Sequence, residues 1–458
     1  MTHDQLKARR LGIDTYREPV AFMRDDSPVC RAEGFRSMSR IQASHGHRSV
    51  IATLDVVQGG LLAADEIGLS EAAWRQLGVA QGESVRISHP EPVESFSAVR
   101  AKIYGRPFGD GDLAGVVRDI GSGAYSSIEL AAFITACAGD NMSLAETVAL
   151  TRAMVDAGTR LGWLQRPVVD KHCVGGLPGN RTTPIVVAIV AACGLIIPKT
   201  SSPAGTADTM AVLAPVDLTL AHMRRVVEQE GGCVVWGGSM ALSPADDILI
   251  QVERPLDFDS VGQLTASILS KKIAAGSTHL LIDMPVGATA KVRSQAAALA
   301  LEERLVAVGA ALGLAVRVLR TDGQQPVGKG IGPVLEAMDL LAVLRGEADA
   351  PADLRERAAE LAGALLEMGG HAQPGGGRSL ADAALASGAA WAKFQAICAA
   401  QGGMREPRPA AHRMPQTSPR DGVVAAIDNR RLSRVAKLAG APLSSAAGVC
   451  LETRLGRR

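Results

Sequence analysis

Short apolar runs typical of strands alternate with longer runs typical of helices between residues 167 and about 345. An apolar run over residues 182–193, closed by Gly194, predicts a buried helix between the first two strands. Alternation of this kind predicts an α/β fold in which helices cover a parallel or mixed sheet. The predicted strands are at 168–169, 195–197, 232–235, 279–282 and 315–319.

The first part of the chain has a different pattern. Strand-like runs at 50–54 and 84–87 flank a short predicted helix, which has Ser70 as its N-cap and Gly78 just after its end. This pattern predicts an N-terminal β-rich domain over residues 1–95. Because the chain has 458 residues, 47% of them hydrophobic, it is long enough for two to four such folded domains.

Three further domains are predicted after the N-terminal one. Helical periodicity, with Ser143 and Glu146 spaced as a capping box, predicts a helical bundle domain at 96–165. The α/β mixed-sheet domain follows at 166–365. A glycine-rich break then separates it from a short C-terminal α+β domain at 366–458, which lacks an obvious closing strand.

Composition narrows the classes of partner. The net charge is +1 and aromatic residues make up 3%, which argues against a chain built to coat nucleic acid. The longest apolar run, residues 185–197, is shorter than the about 20 residues that a membrane span needs. The seven cysteines contain no Cys-x-x-Cys pair, and the polar N-terminus does not resemble a signal peptide. We therefore expect a cytoplasmic protein with no nucleic-acid or membrane partner.

The most informative stretch for chemistry is DKHCVGGLPGNRTT, residues 170–183, between a predicted strand and a predicted helix. A glycine-rich turn that leads into a helix N-terminus presents free N–H groups to an anion and lets the backbone approach it. Lys171 adds a positive charge, and Thr182 and Thr183 can add hydroxyl donors. An ordinary tight turn with a helix cap explains this spacing equally well.

A second stretch, KTSSPAGTAD at residues 199–208, follows the next predicted strand. Ligands of open α/β sheets bind at the carboxyl ends of strands, so two neighbouring loops of this kind can hold one phosphate from both sides. The pairing favours an anion site. The alternative is that Thr206 and Asp208 only cap the next helix.

Two other groups of residues carry weaker signals. Ser267 and Lys271 are four apart and share a helix face, where they could hold a nucleobase carbonyl, although a solvated helix end is the commoner explanation. His45 and His47 flank a glycine, and such a pair is more often solvated than bound to a metal. The sequence therefore predicts no metal site.

Taken in order, the motifs DKH-x-x-GG, GNRTTPIVVAIVAACG, IPKTS, AGTADTM and LTASILSKK resemble the thymidine phosphorylase and AMP phosphorylase family from about residue 48 onward. The AGTADTMAVLAPV segment and the N-terminal β unit are more similar to its AMP phosphorylase branch. The resemblance implies the four-domain architecture given above and a homodimer or larger homo-oligomer. It also implies phosphorolysis without a cofactor, with inorganic phosphate as co-substrate and a nucleoside or nucleotide as substrate.

The resemblance also assigns roles to individual positions. Contacts to phosphate or substrate are implied at Lys171, Gly176, Ser201, Ser202 and Thr206. Contacts to the base, as in thymidine phosphorylases, are implied at His172, Ser267 and Lys271. In the AMP branch the position of Asp259 is the proton donor, and Ser267 and Lys291 contact the nucleotide. The catalytic residues implied are thus Asp259, Lys171 and His172.

The sequence departs from the family in three places. After Ser202 the loop lacks a handful of residues, including an arginine, and Cys173 stands where many relatives have serine. The C-terminal domain is also short. The arginine that thymidine phosphorylases place on the base corresponds to Val252, with Arg254 nearby.

Several functions follow as alternatives. The leading one is phosphorolysis of thymidine to thymine and 2-deoxyribose 1-phosphate. The second is phosphorolysis of AMP or another nucleoside 5′-monophosphate, and the third is an inactive relative whose substrate loop is too short. A phosphoribosyltransferase would need an acidic magnesium site near the glycine loop, which the sequence does not show.

Overall fold

A computed structural model describes residues 4–16, 18–201, 203–240, 242–256 and 260–457. The chain divides into two compact units. The first consists of residues 1–136 and 248–258, and the second of residues 137–247 and 259–458.

Six strands of the first unit form a closed barrel in the order β1-β5-β2-β4-β3-β6. Alternate residues of β1, such as Leu6 and Ala8, point into its apolar core. Closure leaves no unpaired edge, so the barrel is complete within this unit. The strands are β1 (Gln5–Arg10), β2 (Val20–Arg24), β3 (Arg40–His45), β4 (Arg48–Val57), β5 (Glu66–Leu69) and β6 (Ser84–Ser88).

Apart from the end of α10, described below, the described residues of the first unit also contain five helices, of which two lie between barrel strands and three follow the last strand. In the second of them the Ser70 hydroxyl accepts the N–H of Ala73, and Gly78 ends the helix with a φ of 64°. Both predicted caps are therefore confirmed. The helices are α1 (Pro28–Glu33), α2 (Glu71–Leu77), α3 (Phe96–Ile103), α4 (Asp112–Gly121) and α5 (Ser127–Ala136).

Five parallel strands build the sheet of the second unit. Three of them have the order β11-β10-β7, two form the pair β8-β9, and a parallel bridge between Val168 and Ile196 joins the groups. In the described residues, the one strand of the C-terminal region, β13, pairs antiparallel with β12, which precedes α13. The strands are β7 (Val169–Cys173), β8 (Ile197–Ser201), β9 (Gly232–Trp236), β10 (His279–Val286), β11 (Ala315–Asp322), β12 (Gly330–Ile331) and β13 (Val449–Cys450).

Twelve α-helices lie wholly or partly in the described part of the second unit. They are α6 (Leu144–Asp156), α7 (Thr182–Ala192), α8 (Asp208–Leu213), α9 (Leu220–Glu230), α10 (Pro244–Leu256), α11 (Val261–Ala274), α12 (Gln295–Ala311), α13 (Pro333–Arg345), α14 (Ala352–Met368), α15 (Gly377–Ala386), α16 (Ala389–Gln401) and α17 (Asn429–Leu438). α10 extends into the segment assigned to the first unit.

Helices cover both faces of the sheet, as predicted. α7 is buried from Thr182 to Ala191 and shares one apolar core with α13, α14, α15 and α16. A second core holds residues of α11, α12 and the opposite side of β10, including Leu280 and Ile282. Because α14 and α15 flank the glycine-rich break and pack together, that break is a turn between helices. The four-domain division stays a prediction.

Two strand positions were predicted wrongly. β7 and β8 extend to Cys173 and Ser201, several residues beyond the predicted runs at 168–169 and 195–197. The predicted runs end before Asp170 and Pro198, whereas the structure continues the strands through the buried Asp170, Lys171 and Lys199. The predicted capping box is confirmed, since Ser143 and Glu146 exchange hydrogen bonds at the start of α6.

Candidate active site

The carboxyl ends of β7 and β8 lie side by side at one edge of the sheet, as predicted. The two strands are joined at their starts, where the N–H of Val169, the first residue of β7, donates to the carbonyl of Ile196 just before β8 at 2.9 Å. Beyond this point the described residues of β7 and β8 form no further ladder pairs, and the Lys199 ammonium donates instead to the carbonyl of Lys171 at 2.8 Å. The sheet is therefore open at the end where α/β proteins bind ligands.

Lys171 is buried with its ammonium group fully engaged. Its side chain is 0% exposed, and Nζ lies 3.3 Å from Asp283 Oδ2 on β10. Nζ also donates to Thr182 Oγ1 at 2.8 Å and to Thr183 Oγ1 at 3.4 Å. Three protons and three acceptors satisfy this lysine completely. The two threonines, predicted to face an anion, accept hydrogen bonds from Lys171 in this structure.

Asp283 completes the buried pair. Its carboxylate accepts hydrogen bonds from Thr321 at 2.8 Å and from the amide of Asn180 at 3.1 Å. Burial alone would raise the pKa of Asp283. The charge of Lys171 and these hydrogen bonds outweigh that effect, so the pKa is lowered and the group stays ionised.

Asp170 organises a second buried charge group on the neighbouring position of β7. Lys272 of α11 lies 2.8 Å from its Oδ2, and Lys199 of β8 lies 3.5 Å from its Oδ1. All three side chains are nearly inaccessible to solvent. Burial lowers the pKa of Lys199 well below 10.5, and the positive charge of Lys272 lowers it further, although Asp170 opposes the shift. One carboxylate thus ties two strands and a helix together at the edge of the sheet.

His172 lies between these groups and is held neutral. Burial lowers its pKa well below 6.5, and the positive charges of Lys272, Lys199, Lys271 and Lys171 lower it further. In the described part of the chain its ring makes no hydrogen bond to protein. A neutral imidazole has one N–H donor and one acceptor, and here both are available to a ligand.

The depressed pKa of His172 predicts a pH dependence of stability. Below about pH 6.5 the unfolded chain binds a proton that the folded chain excludes, so the free energy of unfolding falls as pH falls. We expect His172→Gln to flatten this slope by at most about 1.4 kcal/mol per pH unit, measured by urea unfolding between pH 5 and 7. The exposed His47→Gln variant is the control and should keep the wild-type slope. An unchanged slope in His172→Gln would contradict the prediction.

The loop after β7 is folded tightly against its neighbours. Gly176 has a φ of 82°, and a Cβ there would lie 2.3 Å from the backbone nitrogen of Lys291. Gly179 meets the carbonyl of Val327 in the same way, so no other residue fits at either position. The loop leads into α7, whose first turn has no side-chain cap. Uncapped amides at a helix N-terminus are a site for an anion.

The loop after β8 forms a π-helical turn over Pro203–Ala207, which contains Thr206. Asp208 accepts the N–H of Gly205 at 3.2 Å. The Arg181 guanidinium, at the start of α7, reaches across to donate to Thr209 at 3.1 Å and to the buried Glu336 at 2.8 Å. Arg181 thus ties the end of the first loop to α8, the helix that follows the second loop, and to α13. Ser201 ends β8, and Ser202 lies outside the described residues.

Ser267 and Lys271 are brought together on α11, as the helical spacing predicts. Lys271 Nζ donates to Ser267 Oγ at 3.2 Å and to the buried Asp246 of α10 at 2.5 Å. The Lys271 side chain keeps 31% of its surface exposed. This pair therefore offers a fixed ammonium and a hydroxyl to a polar ligand, which a freely solvated helix end would not.

Lys291 lies in the loop after β10, against Gly176, and Asp259 lies outside the described residues. Burial, together with the negative charge of Asp283, raises the pKa of the Cys173 thiol to about 11. Cys173 is therefore protonated at neutral pH, which argues against a reactive thiolate. In the described residues, no group of three or more His, Cys, Asp or Glu side chains could hold a metal.

Sequence reasoning missed five residues that shape the site: Asp170, Asn180, Lys199, Lys272 and Asp283. The available signal was a charged residue inside or beside an apolar strand, because such a residue is rarely buried unless it is paired.

No helix in the described part of the chain combines the length and apolarity that a membrane span requires.

Two family descriptions match the chain. "Glycosyl transferase family, helical bundle domain" matches residues 97–158, and "Glycosyl transferase family, a/b domain" matches residues 165–391. The chain is also 61% identical to "Putative thymidine phosphorylase" of Polaromonas sp. (strain JS666 / ATCC BAA-500), over 100% of this chain and 90% of the relative. This chain belongs to that glycosyl transferase family. The resemblance inferred from the motifs is confirmed.

A second relative and one solved structure are also similar to this chain. "Putative thymidine phosphorylase" of Hahella chejuensis (strain KCTC 2396) is 56% identical over 98% of this chain and 90% of the relative. Anthranilate phosphoribosyltransferase from Thermus thermophilus has a similar fold, with a TM-score of 0.52 and 21% identity, covering 66% of this chain and 99% of that one. The chain is thus a glycosyltransferase-type enzyme.

Proposed function

We propose that this glycosyltransferase catalyses phosphorolysis of a nucleoside, converting thymidine and phosphate to thymine and 2-deoxyribose 1-phosphate. One observation carries the proposal: Lys272 of α11 pairs with Asp170 of β7 at 2.8 Å, so the helix that carries Ser267 and Lys271 lies beside the strand that leads to the uncapped start of α7. An anion site and a polar base site therefore share one edge of the sheet. The family relatives, named putative thymidine phosphorylases, support this function.

In this proposal phosphate binds to the first-turn amides of α7 and to the loops after β7 and β8. A phosphate oxygen forms a bond to C1′ while the C1′–N bond breaks, and the electron pair leaves with the base. The transition state carries positive charge on the sugar, which the phosphate charge below C1′ stabilises. The glycines of the first loop let the backbone come close to the anion.

The departing thymine carries negative charge on its carbonyl oxygens. The Lys271 ammonium, held in place by Asp246, and the Ser267 hydroxyl suit that charge. Neutral His172 can donate its N–H to the same base without adding a repelling charge beside the four lysines. The reaction needs no cofactor or metal beyond the phosphate that it consumes.

A second candidate is phosphorolysis of AMP. It is favoured by the AGTADTM segment and by Val252, which occupies the position of the arginine in thymidine phosphorylases. Adenine leaves more easily after protonation, and the carboxyl group of Asp259 would supply that proton. This candidate differs from the first in the base released and in the 5′-phosphate of the substrate.

A substrate panel tests both candidates. Purified enzyme is incubated with thymidine, uridine or AMP, with and without inorganic phosphate, and released base is measured by chromatography. We expect phosphate-dependent release of thymine. The Lys271→Met variant should lose at least tenfold of this activity, because it removes the charge that stabilises the departing base. Exposed Lys7→Met is the matched control and should behave as wild type.

The other outcomes have distinct meanings. Adenine released from AMP, without thymine release, would replace the leading proposal by the second. Base release that requires diphosphate would indicate a phosphoribosyltransferase. No release from any substrate at high enzyme concentration would contradict both phosphorylase candidates and leave the shortened loop after Ser202 as the explanation.

A further inference from the structure

Gln263 has a buried side-chain amide whose two polar ends are both unsatisfied. Its side chain is 3% exposed, and neither Oε1 nor Nε2 has a hydrogen-bond partner among the described residues. Its backbone N–H is satisfied by Ser260 Oγ at 3.2 Å, so only the side chain lacks partners. Buried polar groups are nearly always hydrogen-bonded, because leaving them unpaired costs free energy. A bound ligand would remove that cost.

The position of Gln263 on α11 indicates which ligand. Residues 263, 267 and 271 are four apart, so they lie about 40° from one another along one face of the helix. The opposite face is turned to the sheet, since Leu269 belongs to the core beside β10 and Lys272 is paired with Asp170. Gln263 therefore lies one turn before Ser267 on the face proposed to bind the base.

We propose that Gln263 is a base-recognition residue whose amide pairs with a nucleobase edge that carries a donor next to an acceptor. This inference rests on the proposed function, which places the base against Ser267 and Lys271. Oε1 would accept an N–H of the base, and Nε2 would donate to the neighbouring carbonyl or ring nitrogen. Amide side chains recognise bases in this bidentate way. Thymine offers N3–H beside O4, and adenine offers its amino group beside a ring nitrogen.

A purely structural role for Gln263 predicts a different kinetic result from a role in recognition. If the amide only fills space, methionine of similar size should have no kinetic effect. If the amide serves the ligand, removing its unsatisfied atoms should leave the empty protein at least as stable while nucleoside binding weakens. The combination of unchanged or raised stability with weakened binding is therefore specific to recognition.

The test compares wild type with Gln263→Met. We expect a melting temperature equal to or above wild type, a KM for nucleoside raised about 10- to 100-fold, and a KM for phosphate within twofold. Thr265→Val is the matched control, since Thr265 Oγ1 is also buried and unsatisfied but lies on the opposite face of α11. It should change neither KM.

A modified substrate gives a second readout. N3-methylthymidine lacks the N3–H, so wild type should use it at least tenfold less efficiently than thymidine, and Gln263→Met should lose most of that preference. If the substrate panel shows release of adenine from AMP, N6,N6-dimethyl-AMP replaces N3-methylthymidine in this comparison. An unchanged nucleoside KM in Gln263→Met, or an unchanged preference between the two substrates, would overturn the inference.

Failure of the proposed function is distinguishable from failure of this inference. If wild type releases no base, calorimetric titration with thymidine and AMP replaces the kinetic assay. Binding to wild type that weakens at least tenfold in Gln263→Met supports recognition by Gln263 without catalysis. Equal binding by both proteins, or binding by neither, overturns it.

Discussion

Lys171→Met is expected to abolish phosphate-dependent turnover and to lower the free energy of unfolding by about 3–5 kcal/mol. The variant leaves the Asp283 carboxylate fully buried without the charge that holds its pKa down. It also frees Thr182 and Thr183 at the start of α7, so the amides proposed to bind phosphate lose their anchor. Urea unfolding and the phosphorolysis assay measure the two effects separately.

A double variant separates the charge from the contact. Lys171→Met combined with Asp283→Asn removes both charges, so it should recover most of the lost stability but none of the turnover. Lys393→Met breaks the partly exposed pair with Glu230 and should change stability by no more than about 1 kcal/mol. If Lys171→Met alone is as stable as wild type, the buried pair of Lys171 and Asp283 does not stabilise the fold.

Local signals were enough to predict much of the fold. The alternation of apolar runs gave the helix-covered sheet, and α2 and α6 begin at the predicted caps, Ser70 and Ser143. A cap depends on residues three apart, so it can be recognised without knowing the tertiary structure. The adjacency of β7 and β8 was also predictable, because consecutive strands of an α/β unit usually lie next to each other.

The buried charges were not predictable by the same means. The predicted strands stop before Asp170 and Pro198, so the pattern leaves out Lys171 and Lys199, which the structure buries within β7 and β8. Lys171 is paired with Asp283 and Lys199 with Asp170, carboxylates on other strands that are distant in the sequence and come close only in the folded sheet. A rule based on neighbouring residues cannot supply partners at that distance.

In the candidate site, too, some features were predictable from local sequence and others appear only in the folded structure. The motifs predicted Lys171, Thr182 and Thr183 as neighbours, and they are, but as partners of one another. Gln263 carries no motif, and only its unsatisfied amide in a folded helix marks it as a candidate contact. Residue type thus predicted where the chemistry lies, whereas hydrogen-bond partners decide which groups are available to a substrate.

Substituting Lys199 tests whether the loops after β7 and β8 must be held at a fixed separation to bind phosphate. Where ladder pairing between β7 and β8 stops, its ammonium supplies the hydrogen bond to the carbonyl of Lys171. That contact sets the separation of the two strand ends, and hence of the loops proposed to hold phosphate. Displacing a reacting group by about 1 Å can cost on the order of 100-fold in rate.

Lys199→Met is therefore expected to lower kcat/KM for phosphate about 100-fold. Its effect on stability should be smaller than that of Lys171→Met, because Lys272 still pairs with Asp170. Phosphorolysis rates measured over a range of phosphate concentrations give kcat/KM, and urea unfolding gives the free energy of unfolding.

Lys199→Gln serves as the comparison, because its shorter amide keeps an N–H donor for the carbonyl of Lys171 but carries no charge. Partial recovery of kcat/KM in this variant would indicate that spacing between the strands matters more than the charge. Burial already lowers the pKa of Lys199, so the amine gives up its charge more readily than an exposed lysine, and a neutral donor is a fair substitute. Wild-type kinetics in Lys199→Met would mean that the strand ends keep their separation without this bond.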